Sequence, residues 1–293
     1  VITVGIVSLG EMGAAVARRL TAAGDRVVTC DRGRSSRTIE TAGHVGAEVA
    51  PDLSVVARES AVVLSVVPQD AALEVARDFA GASVDDGVRP LYIDANSLSP
   101  ATMGEIAGVL ASAGWDCVDG AFVGNAAALG EKTTLYLSGS RAGEAARLLA
   151  RALTVRVLGG EVGAASAFKL SIYGFNKGLV ALFLEMMAAA DRLGLRGELM
   201  DCLRDFYPGS VATVERLLPT YPRHARRRAA EMAEVIAWLG EIGQSADMAQ
   251  GTRAVIENVA SLGLPAEGDS DAETLVAEMC RRGLLRRGEP RPR

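Results

Sequence analysis

The stretch Thr3-Val4-Gly5-Ile6-Val7-Ser8-Leu9-Gly10-Glu11-Met12-Gly13 leads directly into Ala14-Ala15-Val16-Ala17-Arg18-Arg19-Leu20. A short apolar run, a turn of small residues and a helical pattern stand in that order, and a second apolar run follows over 26–31. Together they predict one βαβ unit. The turn fits G-x-G-x-x-G with Ser8 in the place of the first glycine. An acid, Asp31, stands 18 positions after Gly13. Glycines at such a turn let the backbone approach a pyrophosphate, whose charge then sits on the N-terminus of the helix. In this context the pattern reads as a dinucleotide site built from Ser8, Leu9, Gly10, Glu11, Met12 and Gly13.

Working outward, the alternation continues. Strand patterns recur near 47–49, 61–67, 91–94 and 116–119, with helical patterns over 53–59, 71–79 and 101–113 between them. A strand (133–137), a helix (142–153) and a strand (154–158) extend the series, and everything beyond Gly159-Gly160 reads as helix. The expected fold class is α/β: a Rossmann doubly wound, mostly parallel sheet followed by an all-helical C-terminal domain. The boundaries fall at 1–160 for the dinucleotide-binding domain and 161–286 for a substrate and dimerisation domain, with 287–293 a disordered tail. Ligands of such sheets lie outside the carboxyl ends of the strands, which directs attention to the loops after Val7, Asp31, Val67, Asp94 and Asp119. Val67, Pro68 and Asn96 thereby join the cofactor set.

Composition narrows the function. The net charge of −5 gives no sign of nucleic acid or of an anionic membrane surface. Cys30, Cys117, Cys202 and Cys280 are scattered, and the histidines are only His44 and His224, so neither a metal site nor a disulfide scaffold is expected. A reducing cytoplasm fits this usage.

The stretch 163–194 is proline-free and dominated by Ala, Leu, Phe, Met, Val and Ile, which predicts one long helix, apolar on all sides and buried along most of its length. Lys169, Lys177 and Glu185 interrupt the apolar run, which speaks for a core helix over a membrane span. Lys169, Tyr173 and Asn176 fall at i, i+4 and i+7 and share a face. The chain holds 28 Arg and only three Lys, two of them in this helix. A lysine where arginine is the default points to a group that has to lose its proton. Lys177, on another side, reads as structural and paired with a carboxylate. Trp115, Trp238 and the Met186-Met187 pair read as core.

With these loops in place the chain resembles the β-hydroxyacid dehydrogenase superfamily, which includes 3-hydroxyisobutyrate, 6-phosphogluconate and threonate dehydrogenases. Gly5 to Gly13 resembles its G-F-I-G-L-G-x-M-G. Asp94-Ala95-Asn96-Ser97-Leu98-Ser99-Pro100 resembles D-x-S-T-x-x-P, Asp119-Gly120-Ala121-Phe122-Val123-Gly124-Asn125 resembles D-A-P-V-S-G-G, and Gly163 to Tyr173 resembles the G-x-x-x-K-x-x-x-N helix. The resemblance implies Lys169 as general acid/base, with Tyr173 and Asn176 beside it, and a substrate loop at Asn96, Ser97, Phe122, Val123, Gly124 and Asn125. It also implies a small, anionic hydroxy or oxo acid as substrate. Asn96 replaces a substrate-contacting serine, Phe122 and Val123 depart from Pro-Val-Ser, Asn125 replaces a glycine, and Tyr173 stands where the family has asparagine. These departures rewrite the substrate pocket. Residues 224–235 resemble a poorly characterised branch of the superfamily.

Asp31 would take the ribose 2′-hydroxyl of NAD, whereas Arg32, Arg34 and Ser35 suit the 2′-phosphate of NADP. NADP is the expected cofactor, with NAD left open by Asp31. Two other functions fit the same residues: an imine reductase with Tyr173 as proton donor, or a non-catalytic NADP-binding regulator. The long helix has more apolar surface than a small helical domain covers, so a homodimer is expected. The arginines at 223 and 226–228 read as a solvated face, or as a reach toward the anionic substrate.

Overall fold

The computed structural model describes residues 1–30, 36–82, 89–265 and 271–286, with the side chains of Ser36 and Arg37 also outside the description. The expected tail at 287–293 and the discriminating residues Asp31, Arg32, Arg34 and Ser35 lie outside the described residues. The chain forms two compact units, Val1–Lys169 and Leu170–Arg293.

The first unit is an eight-stranded sheet in the order β3-β2-β1-β4-β5-β6-β7-β8. Its strands are β1 (Thr3–Val7), β2 (Arg26–Cys30), β3 (Glu48–Ala50), β4 (Val62–Ser65), β5 (Leu91–Asp94), β6 (Cys117–Val123), β7 (Thr134–Ser138) and β8 (Val155–Gly159). Every pair is parallel except β6 with β7. Helices α1 (Glu11–Ala22), α2 (Ser36–Val45), α3 (Leu53–Glu59), α4 (Ala72–Ala80), α5 (Pro100–Ser112) and α6 (Ala142–Leu149) form the crossovers. Successive strand residues enter opposite cores. Val62 and Leu64 pack with Val16 and Leu20 of α1 on one face. Val63 packs with Phe79 and Met103 on the other. A sheet covered on both faces needs apolar residues at nearly every strand position, and these strands have them.

The second unit holds most of the long helix α7 (Ala164–Arg192), with α8 (Arg196–Phe206), α9 (Pro208–Leu217), α10 (Tyr221–Glu241), α11 (Asp247–Ser261) and α12 (Ala272–Arg281). Its core joins Val180, Leu184 and Met187 of α7 to Met232 and Val235 of α10, Ile256 of α11 and Met279 of α12. Gly174 and Gly178 face neighbouring helices at ordinary contact distance. A Cβ on Gly174 would meet Val235 at 3.5 Å, and one on Gly178 would meet Thr252 at 3.6 Å.

Two expectations for α7 are corrected. By length and composition it is apolar enough to cross a membrane in spite of its charges. It is also not buried all round: Phe175, Leu182 and Met186 are exposed, Phe175 by 71%, and so is Leu193 just past the end of the helix, by 73%. The three within the helix stand at i, i+7 and i+11, within about 40° of one another around it. The helices of this unit cover the opposite side and leave one apolar stripe.

Candidate active site

Local sequence explains the turn after β1. Ser8 takes φ +79°, a left-handed conformation that favours glycine. Gly13 is obligatory for another reason: a Cβ there would lie 2.1 Å from the Ser8 carbonyl oxygen. Leu9 is buried in the core, and Met12 packs against it. Gly10 is the N-cap of α1 and supplies no capping side chain, so first-turn N–H groups of α1 are left for an anion. Behind an exposed Gly10 and Glu11, this geometry fits a dinucleotide pyrophosphate.

The next strand ends carry a buried polar row. Register aligns Ser65 of β4 with Asp94 of β5, Asp94 with Asp119 of β6, and Asp119 with Ser138 of β7. All four are 0% exposed. Asn96 is bonded into the row's near end. Its N–H donates to Asp94 Oδ1 at 3.1 Å, its Nδ2 donates to Ser65 Oγ at 3.2 Å, and its Oδ1 accepts the Val67 N–H at 2.6 Å. The Gln69 side chain donates to the Ser97 carbonyl, so the turns after β4 and β5 are tied twice. Pro68 is exposed beside them.

Burial pushes the Asp94 carboxyl up to about 7; the bonds from Asn96 lower it and Asp119 raises it further. Burial likewise raises Tyr92 and Cys117 on the same side of the sheet.

At the far end Asp119 fastens the start of α7. Its Oδ2 accepts Ser138 Oγ at 3.1 Å, the Gly163 N–H at 3.0 Å and the Ser166 N–H at 2.9 Å, while Oδ1 accepts Ser166 Oγ at 2.8 Å. Ser138 Oγ also accepts the Ala165 N–H at 2.9 Å. A strand carboxylate thus satisfies N–H groups that a helix start leaves open, at the end where negative charge is favoured. Lys169 follows Ser166 by one turn and is buried, with 8% exposure. Tyr173 and Asn176, both half-buried, continue its face along the same helix.

The loop after β6 is shaped by strand pairing. β6 runs on to Val123 because β7 pairs with it antiparallel from Asp119↔Ser138 to Val123↔Thr134. Phe122 packs in the core under the sheet, not in an open pocket. Val123 and Ala126 flank an exposed Gly124 and Asn125 on the strand's continuation. Asn125 Oδ1 accepts the Ala128 N–H at 2.9 Å, and its carbonyl accepts Thr133 Oγ1 at 2.7 Å. Gly124, at φ +128°, could not carry a side chain, since a Cβ would fall 2.2 Å from Thr133 Oγ1.

In the helical unit Lys177 pairs with Glu231 at 2.8 Å and stands 4.0 Å from the centre of the Tyr173 ring. This is the expected carboxylate partner. Burial lowers its basicity and Glu231 restores part of it. Of the arginines at the start of α10, Arg223, Arg226 and Arg227 are exposed. Arg228 turns inward, stacks 4.0 Å from the Tyr221 ring centre and donates to Thr220 Oγ1 at 2.7 Å. Three of the four are thus solvent-exposed and one is turned inward.

Comparison with known proteins decides the family. Residues 3–155, more than half of the chain, match the NAD binding domain of 6-phosphogluconate dehydrogenase. Residues 190–259 match a domain of unknown function (DUF1932). The chain belongs to the β-hydroxyacid dehydrogenase superfamily. A conserved protein of unknown function, whose structure is described as similar to 3-hydroxyacid dehydrogenases, is 31% identical, with 89% of this chain and 97% of that one covered and a TM-score of 0.75. A conserved hypothetical protein from Sinorhizobium meliloti is 26% identical, with 96% of each chain covered and a TM-score of 0.78. The 3-hydroxyisobutyrate dehydrogenase of Mycobacterium tuberculosis shares the fold at 19% identity, with 95% and 99% covered and a TM-score of 0.74. Within this superfamily the chain is of the dinucleotide-dependent oxidoreductase type. The motif blocks that begin at Asp94 and Asp119 mark these two acids, while the serines Ser65, Ser138 and Ser166 that complete the buried row carry no local signal in the sequence.

Proposed function

We propose that the protein transfers hydride between NADP and a small hydroxy or oxo acid, with Lys169 as general acid/base. The observation that supports this most is the placement of Lys169, buried one turn beyond a helix start held by Asp119. A bound nicotinamide supplies or accepts the hydride. In the oxidative direction Lys169 Nζ takes the hydroxyl proton as the carbinol C–H leaves as hydride, and in reduction it returns that proton. A lysine in an apolar setting has its ammonium form disfavoured, which suits it to cycling. Tyr173 orients the substrate oxygen from the next turn, with Asn176 beyond it. Asn96 and the Val67–Pro68 turn hold the nicotinamide side of the cofactor, and Ser8 to Gly13 its pyrophosphate. The exposed stripe on α7 supports a homodimer, and the cysteine usage a cytoplasmic setting.

Tyr173 in place of asparagine favours one second reading, imine reduction with Tyr173 as the donor. NADP is preferred over NAD on the strength of Arg32 and Arg34. Titration of both reduced cofactors, followed by turnover on a panel of hydroxy acids, oxo acids and cyclic imines, tests these points. The reading expects tighter NADPH binding, weakened by Arg34→Ala, and turnover on the acids. An NADH preference that survives Arg34→Ala contradicts the cofactor assignment, and turnover on imines alone contradicts the substrate class.

A further inference from the structure

Tyr173 is followed at i+4 by a second lysine of α7, Lys177, whose ammonium stands 4.0 Å from the centre of the Tyr173 ring. The same ammonium pairs with Glu231 Oε2 of α10 at 2.8 Å, while Glu231 Oε1 faces Arg227 Nε at 3.8 Å. The Lys177 side chain is 8% exposed and that of Glu231 15%, so the pair is largely withdrawn from water. Val235, one turn further along α10, faces Gly174, the residue next to Tyr173. All of these residues belong to the helical unit.

A buried lysine–carboxylate pair gains little stability over an apolar pair of the same volume, so fastening α10 to α7 does not by itself call for one. What the pair fixes is the place of a cation. An ammonium over an aromatic face is attracted to it, more strongly when both are desolvated, and Glu231 keeps this one there. Arginine is the default cation of the chain, yet a lysine stands here. A compact ammonium meets a carboxylate oxygen and a ring face at one point, whereas a guanidinium presents a rigid planar fork. We propose that Lys177 is a positioning residue: anchored by Glu231, it holds the face of the Tyr173 ring and so aims the phenolic hydroxyl at the substrate oxygen. The inference rests on the reading that Tyr173 orients the substrate. Through Glu231 it gives the segment 190–259 a part in the chemistry.

The test is a double-mutant cycle between Lys177→Met and Tyr173→Phe on the full chain. Its readout is the single-turnover rate of NADPH oxidation with whichever of glyoxylate, pyruvate and acetoacetate wild type reduces. Phenylalanine keeps the ring and its contact with the ammonium and removes only the hydroxyl. In the wild-type background Lys177→Met is expected to slow the reaction by about tenfold, within what a small misplacement of reacting groups costs. In the Tyr173→Phe background it should cost nothing more, and NADPH should bind alike in all four proteins. Equal slowing in both backgrounds, loss of NADPH affinity together with rate, or a Lys177→Met rate equal to wild type overturns the proposal. Lys177→Met alone leaves Glu231 enclosed without its lysine. Should that variant fail to fold, Lys177→Met combined with Glu231→Gln removes both charges and enters the same cycle, with the same outcomes deciding. Additive slowing while Tyr173→Phe is itself slow refutes only this inference. A Tyr173→Phe rate equal to wild type, or no turnover of any of the three acids, refutes the reading of the site beneath it, and the inference falls with it.

Discussion

Ser166 gives Asp119 two hydrogen bonds, one from its backbone N–H at 2.9 Å and one from Oγ at 2.8 Å. Strand β6 at Asp119 and the first turn of α7 are thus locked together across 47 residues of chain. Asp119→Asn keeps the volume but turns one acceptor into a donor facing other donors. The expected loss of stability is about 2–4 kcal/mol, against about 1 kcal/mol for Ser166→Ala. Urea unfolding measures both. Asp119→Asn unfolding at the wild-type midpoint would show that this carboxylate does not hold the helix.

Asp94 also leaves a mark on stability. Its carboxyl is raised from 3.8 to about 7 in the folded chain, so between those values the folded state holds a proton that the unfolded state has released. The contribution of Asp94 is therefore fully present below about 4 and is lost as pH rises through 7. Within that window the stability of wild type relative to Asp94→Asn should fall by up to about 1.4 kcal/mol per pH unit and level off above it. Thermal unfolding of both proteins at several pH values reads the slope. A constant difference, or one that grows with pH in favour of wild type, is incompatible with a protonated Asp94.

The stripe of Phe175, Leu182 and Met186, with Leu193 just past the end of the helix, suits a self-complementary pairing of two copies about a two-fold axis. Leu182→Asp places a charge at its centre. Light scattering is expected to give twice the 30.5 kDa chain mass for wild type and a shift toward monomer for Leu182→Asp. A wild-type monomer at micromolar concentration excludes this use of the stripe.

Much of the fold was legible because each strand and helix carries its own pattern. The Gly5–Gly13 turn, the proline-free and mostly apolar run of α7 and the carboxylate expected for Lys177 all follow from local chemistry. What local chemistry does not contain is register. The row Ser65–Asp94–Asp119–Ser138 exists only once four strands are aligned, and residues so far apart in sequence give no sign that they will meet. β6 extends four residues past Asp119 for the same reason, because its antiparallel partner pairs with it. Phe122 falls in the core through alternation along that extended strand, and Asn125 caps its own loop at the surface. Met186 looked like core beside Met187. Neighbouring helix positions point about 100° apart, and here one is enclosed while the other joins the exposed stripe.

The central claim is that the Lys169 amine carries the proton of the reaction. Methionine suits an apolar helix face, so Lys169→Met should fold and bind NADPH as wild type does. Its rate in single turnover on whichever hydroxy or oxo acid wild type accepts should fall by about 10²–10⁴, with no rescue by arginine, whose proton is too firmly held. Tyr173→Phe should cost less, as expected of a group that orients the substrate. Lys169→Met turning over at the wild-type rate while Tyr173→Phe is inactive would contradict the account and make tyrosine the proton donor.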